Sequence, residues 1–372
     1  MVPKLDPKEL VFTTINKVGR DIPIPNYPIK PCEAMPLAFK RQAWWMPKQA
    51  MDTSFFMPTL IPDVVARGFV VENKPFDIKD AGGPDMFGID WEYIPTVGGS
   101  MVRPGDPFLD DITEWYDKVV WPDVDSWDCE GSAAINEGLF LKPENFNQIW
   151  FYTGYFERLI SMLDFEEALM AIAIDDYKED VHAFFTKLTD LYIDIFDHVH
   201  KYFPSVNAVF FHDDWGSQKD AFFSPALCEE MIVPYMRRLT DHLHSLGIFC
   251  EIHSCGNNIK QVPNYIKAGW DLWAPQLMND FYDIYDKYGD QISIATWPMN
   301  MPEEIEALPT IIEKGAAFAK LPEEQQRQIA RDYVNRVCVH GKPSFYNFYA
   351  AAYLTPAFCE EMYKQSRINL AD

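Results

Sequence analysis

Short apolar runs and longer amphipathic segments begin to alternate near residue 147 and continue toward the C-terminus. Runs of about four to eight apolar residues are typical of buried strands, whereas apolar side chains at three- and four-residue steps are typical of helices. The predicted strands are residues 148–154, 207–214, 247–256, 271–276 and 292–297. Helices are predicted over 178–201 and 224–246, the second with Ser224 as N-cap and Gly247 as its end.

Strands that alternate with helices predict parallel strands joined by crossover helices. An open doubly wound sheet and a closed barrel both satisfy this pattern, but the glycine-rich phosphate-binding fingerprints of the nucleotide-binding sheet are missing. A barrel of roughly 250 residues with an N-terminal extension fits the length. The sequence therefore predicts an α/β fold, a (β/α)8 TIM barrel in one domain over residues 1–372, with an extension and lid-like segments over 1–146 and the barrel core over 147–372.

The N-terminal part of the chain differs in its composition and in its pattern of apolar residues. Residues 1–75 are rich in proline and methionine and carry weak helical signals. Residues 76–130 place glycine and proline between short apolar runs. This second pattern favours an irregular antiparallel layer or lid over repeated helices.

Charge and cysteine content narrow the function classes. The chain has 56 acidic against 32 basic residues, a formal charge of −24. Such a surface repels phosphate backbones and anionic lipids, so we expect no nucleic-acid or membrane partner. Seven cysteines without a regular framework, and no apolar segment of signal-peptide or membrane-spanning length, predict a cytoplasmic protein.

The strand predicted over 247–256 ends in the richest polar sequence, His253-Ser254-Cys255-Gly256. Strand ends of a parallel barrel converge on one face, and side chains two residues apart point to the same side. Imidazole and thiolate are zinc ligands, so His253 and Cys255 are candidate metal ligands. A packed core pair is the alternative, and the third ligand stays open among Cys250, Glu251, Asp213, Asp214, Cys338 and Cys359.

A second strand end reads His212-Asp213-Asp214-Trp215, followed by Gln218. His212, Asp213 and Asp214 are candidate catalytic groups for acid–base chemistry or ligand orientation, with turn capping as the alternative for the aspartates. Substrate contacts are predicted for Trp215, Gln218, Gln276 and Tyr346. For Gln276, turn formation is an equally good explanation. Glu157, a charged residue amid aromatics after the first predicted strand, has surface exposure as its alternative.

The stretch from Asp213 to Asn257, followed by AGWDLWAPQ, resembles the uroporphyrinogen decarboxylase superfamily. The matching motifs are DDxGxQ, a Ser-Pro helix start, HxCG and GxDxxxPQ, and the resemblance covers roughly residues 147–300. It implies a (β/α)8 barrel.

Two branches of that superfamily differ in their motifs. Decarboxylases carry an N-terminal PxWxMRQAGR segment, and this chain keeps its RQA but has Trp44 and Trp45 in place of the Gly-Arg that follows. Cobamide-dependent methyltransferases carry the HxC of a zinc site, which His253 and Cys255 match. The cysteine that completes that site in thiol-methylating members has no counterpart in residues 345–352.

The resemblance implies an enzyme that moves a methyl group from a methylated donor to the cobalt(I) of a separate corrinoid protein. Aryl methyl ethers are the favoured donors over methylamines, methanol and methyl thioethers. Zinc on His253 and Cys255, or a proton from His212 or a tyrosine, would act at the ether oxygen, and aromatic side chains would stack on the donor: Trp215, Trp273, Trp297, Tyr346 and Tyr349. The alternatives are a uroporphyrinogen-type decarboxylase and a non-enzymatic binding or scaffold protein.

Overall fold

The computed structural model describes residues 2–17, 20–49, 51–96 and 98–372. Its strands are β1 (Phe12–Lys17), β2 (Arg20–Pro25), β3 (Ser54–Phe56), β4 (Gly83–Pro84), β5 (Asp90–Ile94), β6 (Gly99–Val102), β7 (Asn147–Phe151), β8 (Val206–His212), β9 (Phe249–Ser254), β10 (Leu272–Pro275), β11 (Ser293–Thr296), β12 (Cys338–Val339), β13 (Lys342–Pro343) and β14 (Phe345–Tyr346).

Its α-helices are α1 (Pro31–Phe39), α2 (Pro62–Ala66), α3 (Trp115–Lys118), α4 (Cys129–Asn136), α5 (Tyr155–Leu163), α6 (Phe165–Ala173), α7 (Asp175–Tyr202), α8 (Pro225–Met231), α9 (Val233–Ser245), α10 (Val262–Lys267), α11 (Tyr282–Tyr288), α12 (Glu303–Glu306), α13 (Ile311–Phe318), α14 (Glu323–Val337) and α15 (Pro356–Leu370).

The chain divides into two compact units. The first unit combines Met1–Thr53 with Asp271–Asp372, and the second unit is Ser54–Trp270. Each has its own parallel strands and its own buried core.

In the second unit, parallel strands lie in the order β3, β7, β8, β9. One face of this sheet is aliphatic and aromatic and packs on α7, where Phe151 contacts Tyr192 and Phe196 with ring centroids 4.9 and 5.2 Å apart. The opposite face carries the alternate side chains, among them Trp150 stacked on Phe210. This period-two alternation assigns every second residue of a strand to one face.

The strands β4, β5 and β6 form a separate antiparallel sheet in the second unit. This confirms the antiparallel layer predicted over residues 76–130. The turn between β4 and β5 is anchored by Asp85, which accepts hydrogen bonds from Arg158 Nη1 at 2.6 Å and Trp91 Nε1 at 3.0 Å.

The first unit contains the parallel strands β10, β11 and β14. Helices α14 and α15 supply its core through aromatic side chains: Thr296 of β11 shares a hydrogen bond with Tyr333, and Tyr346 of β14 contacts Phe358. The antiparallel pair β1–β2 belongs to the same unit and was not predicted.

All five predicted strands are confirmed as β7 to β11, each within a few residues of its predicted bounds. Ser224 caps α8 as predicted, its side chain accepting the amide hydrogen of Leu227, and Gly247 has the left-handed φ of 78° expected of a helix end. The predicted helix over 224–246 is divided between α8 and α9. The division precedes Pro234, which cannot donate a helical hydrogen bond.

The eight-stranded closed barrel requires correction. The described residues contain seven parallel strands, four in the second unit and three in the first, and they show an α/β arrangement without a closed ring of eight. Among the described residues before residue 54, only Lys48 forms a parallel bridge, with Tyr346. The chain turns there, because Asp52 accepts the Lys48 amide hydrogen at 2.8 Å and pairs with its ammonium group.

The division at residue 147 between extension and barrel core stays a prediction. Within the described residues, no helix combines the length and the apolar character that crossing a bilayer requires.

A buried ion pair in the first unit generates a stability prediction. Glu9 accepts hydrogen bonds from Arg367 Nε at 2.7 Å and Tyr363 Oη at 2.6 Å, and Arg367 is fully buried. Burial acts to raise the pKa of Glu9, but the bonds from Arg367 and Tyr363 outweigh it and hold the pKa below 4.5. The contribution of Glu9 to stability is therefore present above pH 4.5 and is lost as the pH falls through the folded pKa.

We expect Glu9→Gln to lower the free energy of unfolding by about 3 kcal/mol at pH 7, because it leaves a buried guanidinium unpaired. The loss should shrink below the folded pKa, where the wild-type carboxyl is also neutral. Urea unfolding at pH 7 and at a pH below the folded pKa of Glu9 measures the loss of unfolding free energy, with the exposed Glu33→Gln as control. An equal loss at both pH values would contradict the prediction.

Candidate functional site

Two histidines and a cysteine meet at the carboxyl ends of β8 and β9. His212 and His253 are register partners on these strands, and their rings stack with centroids 5.3 Å apart. Cys255 follows β9, with its Sγ 3.7 Å from His212 Nε2 and 3.6 Å from His253 Nε2. The three donor atoms lie within 4.8 Å of one another, close enough to hold one metal ion. In this group His212 is the candidate third donor.

The loops after β8 and β9 are tied together, which fixes Cys255. The Cys255 amide donates to Asp214 Oδ1 at 2.8 Å, and the Trp215 amide donates to Ser254 Oγ at 3.0 Å. Gly256 has a φ of 86°, and a Cβ there would lie 2.2 Å from the carbonyl oxygen of Gly216. Only glycine permits this approach of the two loops.

The far side of the His212 ring is held by Glu157, which was not among the predicted site residues. Glu157 Oε2 lies 2.8 Å from His212 Nδ1, and Glu157 Oε1 pairs with Arg67 Nη1 at 2.9 Å. The guanidinium of Arg67 also lies over the rings of Trp91 and Tyr152. The alternative that Glu157 is exposed at the surface is wrong, since only 6% of the residue is accessible.

A signal for Glu157 was present in the sequence. It stands in the first turn of the helix that follows a predicted strand, amid aromatic residues, as a buried functional carboxylate would. Arg67 had no such signal, because it ends the short helix α2 in a segment of weak pattern.

Two ion pairs connect α2 and the residue that ends it with α5, and each side supplies the acid to one pair and the base to the other. Asp63 of α2 pairs with Arg158, while Arg67, one turn further on, pairs with Glu157. Arg158 also binds Asp85, so one buried guanidinium serves two carboxylates. Burial raises the pKa of Asp63 to about 6, with Asp85 adding to this effect and Arg158 opposing it.

The electrostatics of the site favour a proton on His212 in the metal-free protein. Burial acts to lower the pKa of His212, but the charges of Asp214 and Glu157 outweigh it and raise the pKa well above 6.5. Asp214 Oδ1 is 3.1 Å from Nε2, and the same pair lowers the pKa of Asp214, against the effect of burial. Burial, followed by the charge of Asp214, raises the pKa of the Cys255 thiol to about 11.

The other predicted catalytic group, Asp213, follows β8 and lies against the N-terminus of α5. Its carboxylate accepts the amide hydrogens of Tyr155, Phe156 and Glu157 at 2.9 to 3.2 Å. It therefore satisfies three free helix amides, and the capping alternative accounts for its position. Burial, followed by the charge of Glu157, raises the pKa of Asp213 to about 7.

The predicted substrate contacts are dispersed. Trp215 is fully buried and stacks on Tyr265, and Gln218 is exposed in the turn after β8. Gln276 and Tyr346 lie in the first unit. Gln276 follows β10 and its carbonyl accepts the Asn279 amide, while the buried Tyr346 donates to the carbonyl of Ala350 at 2.8 Å. Their contact with substrate stays a prediction.

The aromatic side chains that do lie against the histidines come from other positions. Tyr152 meets the His212 ring edge to face at 5.5 Å, and Phe210 stacks on His253 at 5.7 Å. Phe210 in turn stacks on Trp150. The residues predicted to stack on a donor are instead largely core: Trp215, Trp273, Trp297 and Tyr346 are all buried.

Parallel strands with a His-His-Cys cluster at their carboxyl ends define an α/β protein with a candidate metal centre. The fold is similar to that of a methyltransferase from Methanosarcina mazei, with a TM-score of 0.56 and 11% sequence identity, over 91% of this chain and 98% of that protein. At this identity the likeness concerns the fold alone. No protein-family model matches the chain. No curated protein matches it either.

The carboxylates around His212 lead to a prediction for the metal-free protein. Asp214→Asn should lower the pKa of His212, and Glu157→Gln should lower it less, because Asp214 has the larger influence on it. His212 stabilises the metal-free fold below a pH of about 6.5, and this contribution is lost as the pH rises through the folded pKa.

An NMR titration of ¹⁵N-histidine-labelled protein measures the pKa of His212 in the wild type and in the two variants, with the exposed Asp220→Asn in the same loop as control. A His212 pKa that is the same in Asp214→Asn and in the wild type would contradict this account.

Proposed function

We propose that this protein is a methyltransferase that moves a methyl group from an aryl methyl ether to the cobalt(I) of a separate corrinoid protein. The observation that carries the proposal is the approach of His212, His253 and Cys255 at the ends of two adjacent strands. The DDxGxQ and HxCG motifs, and the fold shared with the archaeal methyltransferase, support it.

The donor set suits a zinc ion. Two imidazole nitrogens and one thiolate are typical zinc ligands, and three protein ligands leave a position open for substrate. The thiolate of Cys255 and the carboxylate of Asp214 together balance a charge of +2, while Arg67 already neutralises Glu157. A zinc ion held there would supply a Lewis acid for the ether oxygen.

Glu157 prepares His212 for this role. With a hydrogen on Nδ1, the Glu157 carboxylate 2.8 Å away accepts it, and Nε2 lies on the side of Cys255. Such carboxylate–histidine pairs orient metal ligands and raise their basicity. Arg67 pairs with Glu157 at 2.9 Å and holds its carboxylate in place.

The reaction needs help at the leaving group. The cobalt(I) of the corrinoid protein displaces the aryl oxygen at the methyl carbon, so that a Co–C bond forms while the C–O bond breaks. Phenoxide is a poor leaving group, and charge must be neutralised on its oxygen. The aromatic rings of Tyr152 and Phe210 beside the histidines suit an aryl donor.

Methyl transfer is tested by single-turnover absorbance of a cobalt(I) corrinoid protein mixed with this protein and a methoxybenzene. We expect the spectrum of the methylated corrinoid to appear with wild type and to be lost in His253→Ala. The matched control is His242→Ala, which removes a surface histidine paired with Asp197.

No transfer from any donor, together with carbon dioxide release from uroporphyrinogen, would overturn the proposal in favour of a decarboxylase. Transfer from methanol, a methylamine or a methyl thioether alone would overturn the choice of donor.

Metal content is a separate prediction. Wild type should hold about one zinc per chain after dialysis, and Cys255→Ser and His212→Gln should each lose most of it, because two donors alone make a weak site. Elemental analysis by mass spectrometry measures the content. Cys32→Ser, which changes a partly exposed cysteine in the first unit, is the control and should keep its zinc.

A further inference from the structure

Thr153 has a backbone conformation that is rare for its residue type. Its φ is 67°, and among the described residues other than glycine only Arg41 and Asp164 also have positive φ. A β-branched side chain is strained in this left-handed region, and such strain persists only where surrounding contacts enforce it.

The side chain of Thr153 carries a second cost. The residue is completely buried, and its hydroxyl oxygen has no hydrogen-bond partner among the described residues. Removing a hydroxyl from water without giving it a new hydrogen-bond partner costs free energy. Both the backbone and the side chain of this residue therefore oppose the folded state.

Three contacts hold the turn in place. Tyr192 Oη donates to the Thr153 carbonyl at 2.6 Å, and the Gly154 amide donates to the His212 carbonyl at 2.8 Å. A Cβ on Gly154 would lie 2.4 Å from the Cβ of Asp213, so the chain passes very close to the end of β8.

The residues on both sides of this turn touch His212. Tyr152, immediately before it, meets the ring edge to face at 5.5 Å, and Glu157, one helical turn after it, binds Nδ1 at 2.8 Å. The direction of both side chains follows from the backbone of Thr153, since it joins β7 to α5.

We propose that Thr153 is a positioning residue whose left-handed backbone aims Tyr152 and Glu157 at His212 and thereby orients its Nε2 toward Cys255. The inference deepens the proposed function, on which its catalytic meaning rests.

The test compares Thr153→Gly with Thr153→Asn and with a matched control, Arg41→Gly. Glycine removes the backbone strain and the unpaired hydroxyl, but it also lets the turn adopt other conformations. Asparagine tolerates the left-handed region and restricts the turn to the wild-type conformation. Arg41→Gly makes the same backbone change in the first unit, where φ is 60°. Each protein is examined metal-free by ¹⁵N-histidine NMR, with His212 assigned by His212→Gln, then by zinc competition and thermal unfolding.

We expect Thr153→Gly to shift or broaden the His212 resonances and to weaken zinc binding about tenfold, a typical effect of losing support around a ligand. Its Tm should equal or exceed that of wild type. Thr153→Asn and Arg41→Gly should keep the wild-type resonances and affinity.

Unchanged His212 resonances in Thr153→Gly would overturn the inference, as would a Tm several degrees below wild type. The NMR comparison needs no metal and no corrinoid partner. Wild type that binds no zinc would therefore defeat the proposed metal centre, while the resonances of His212 would still decide the role of Thr153.

Discussion

The pairing of Arg158 with Asp63 and Asp85 in the second unit is the interaction on which the candidate site depends. A buried guanidinium costs several kcal/mol of hydration and is tolerated only when its donors are paired. Here that requirement draws α2 and the β4–β5 turn onto α5. With α2 fixed on α5, Arg67 meets Glu157, and Glu157 meets His212.

The competition at His212 Nε2 is a second constraint. This one nitrogen lies 3.1 Å from a carboxylate oxygen of Asp214 and 3.7 Å from Cys255 Sγ, so in the proposed metal centre a proton and a metal ion would compete for it. In the metal-free protein the carboxylates favour the proton, and burial favours the protonated thiol. Binding of a metal ion must therefore release protons, and its affinity must depend on pH.

Much of this architecture was predictable from the sequence, for identifiable reasons. The strands β7 to β11 are continuous apolar runs, and HSCG and HDDW stand at strand ends, where side chains of a parallel sheet converge. His212 and His253 could thus be selected, but their register could not, since it depends on how β8 and β9 pair. Arg67 comes from a short helix far away in the chain. The lack of an eighth parallel strand among the described residues was not predictable, since no apolar periodicity reveals that Lys48 forms a single bridge and then bonds to Asp52.

The separation of the site residues along the chain has a consequence for folding. Arg67, Glu157, His212 and Cys255 come from four distant segments of the second unit, and the neighbouring strands β8 and β9 are linked by a helical crossover. Contacts of such high sequence separation form late, because the loops between them must close first. A nascent chain therefore presents no complete set of the three candidate donors until residue 255 has emerged, and the proposed metal ion would be held by all three only once β8 and β9 have paired.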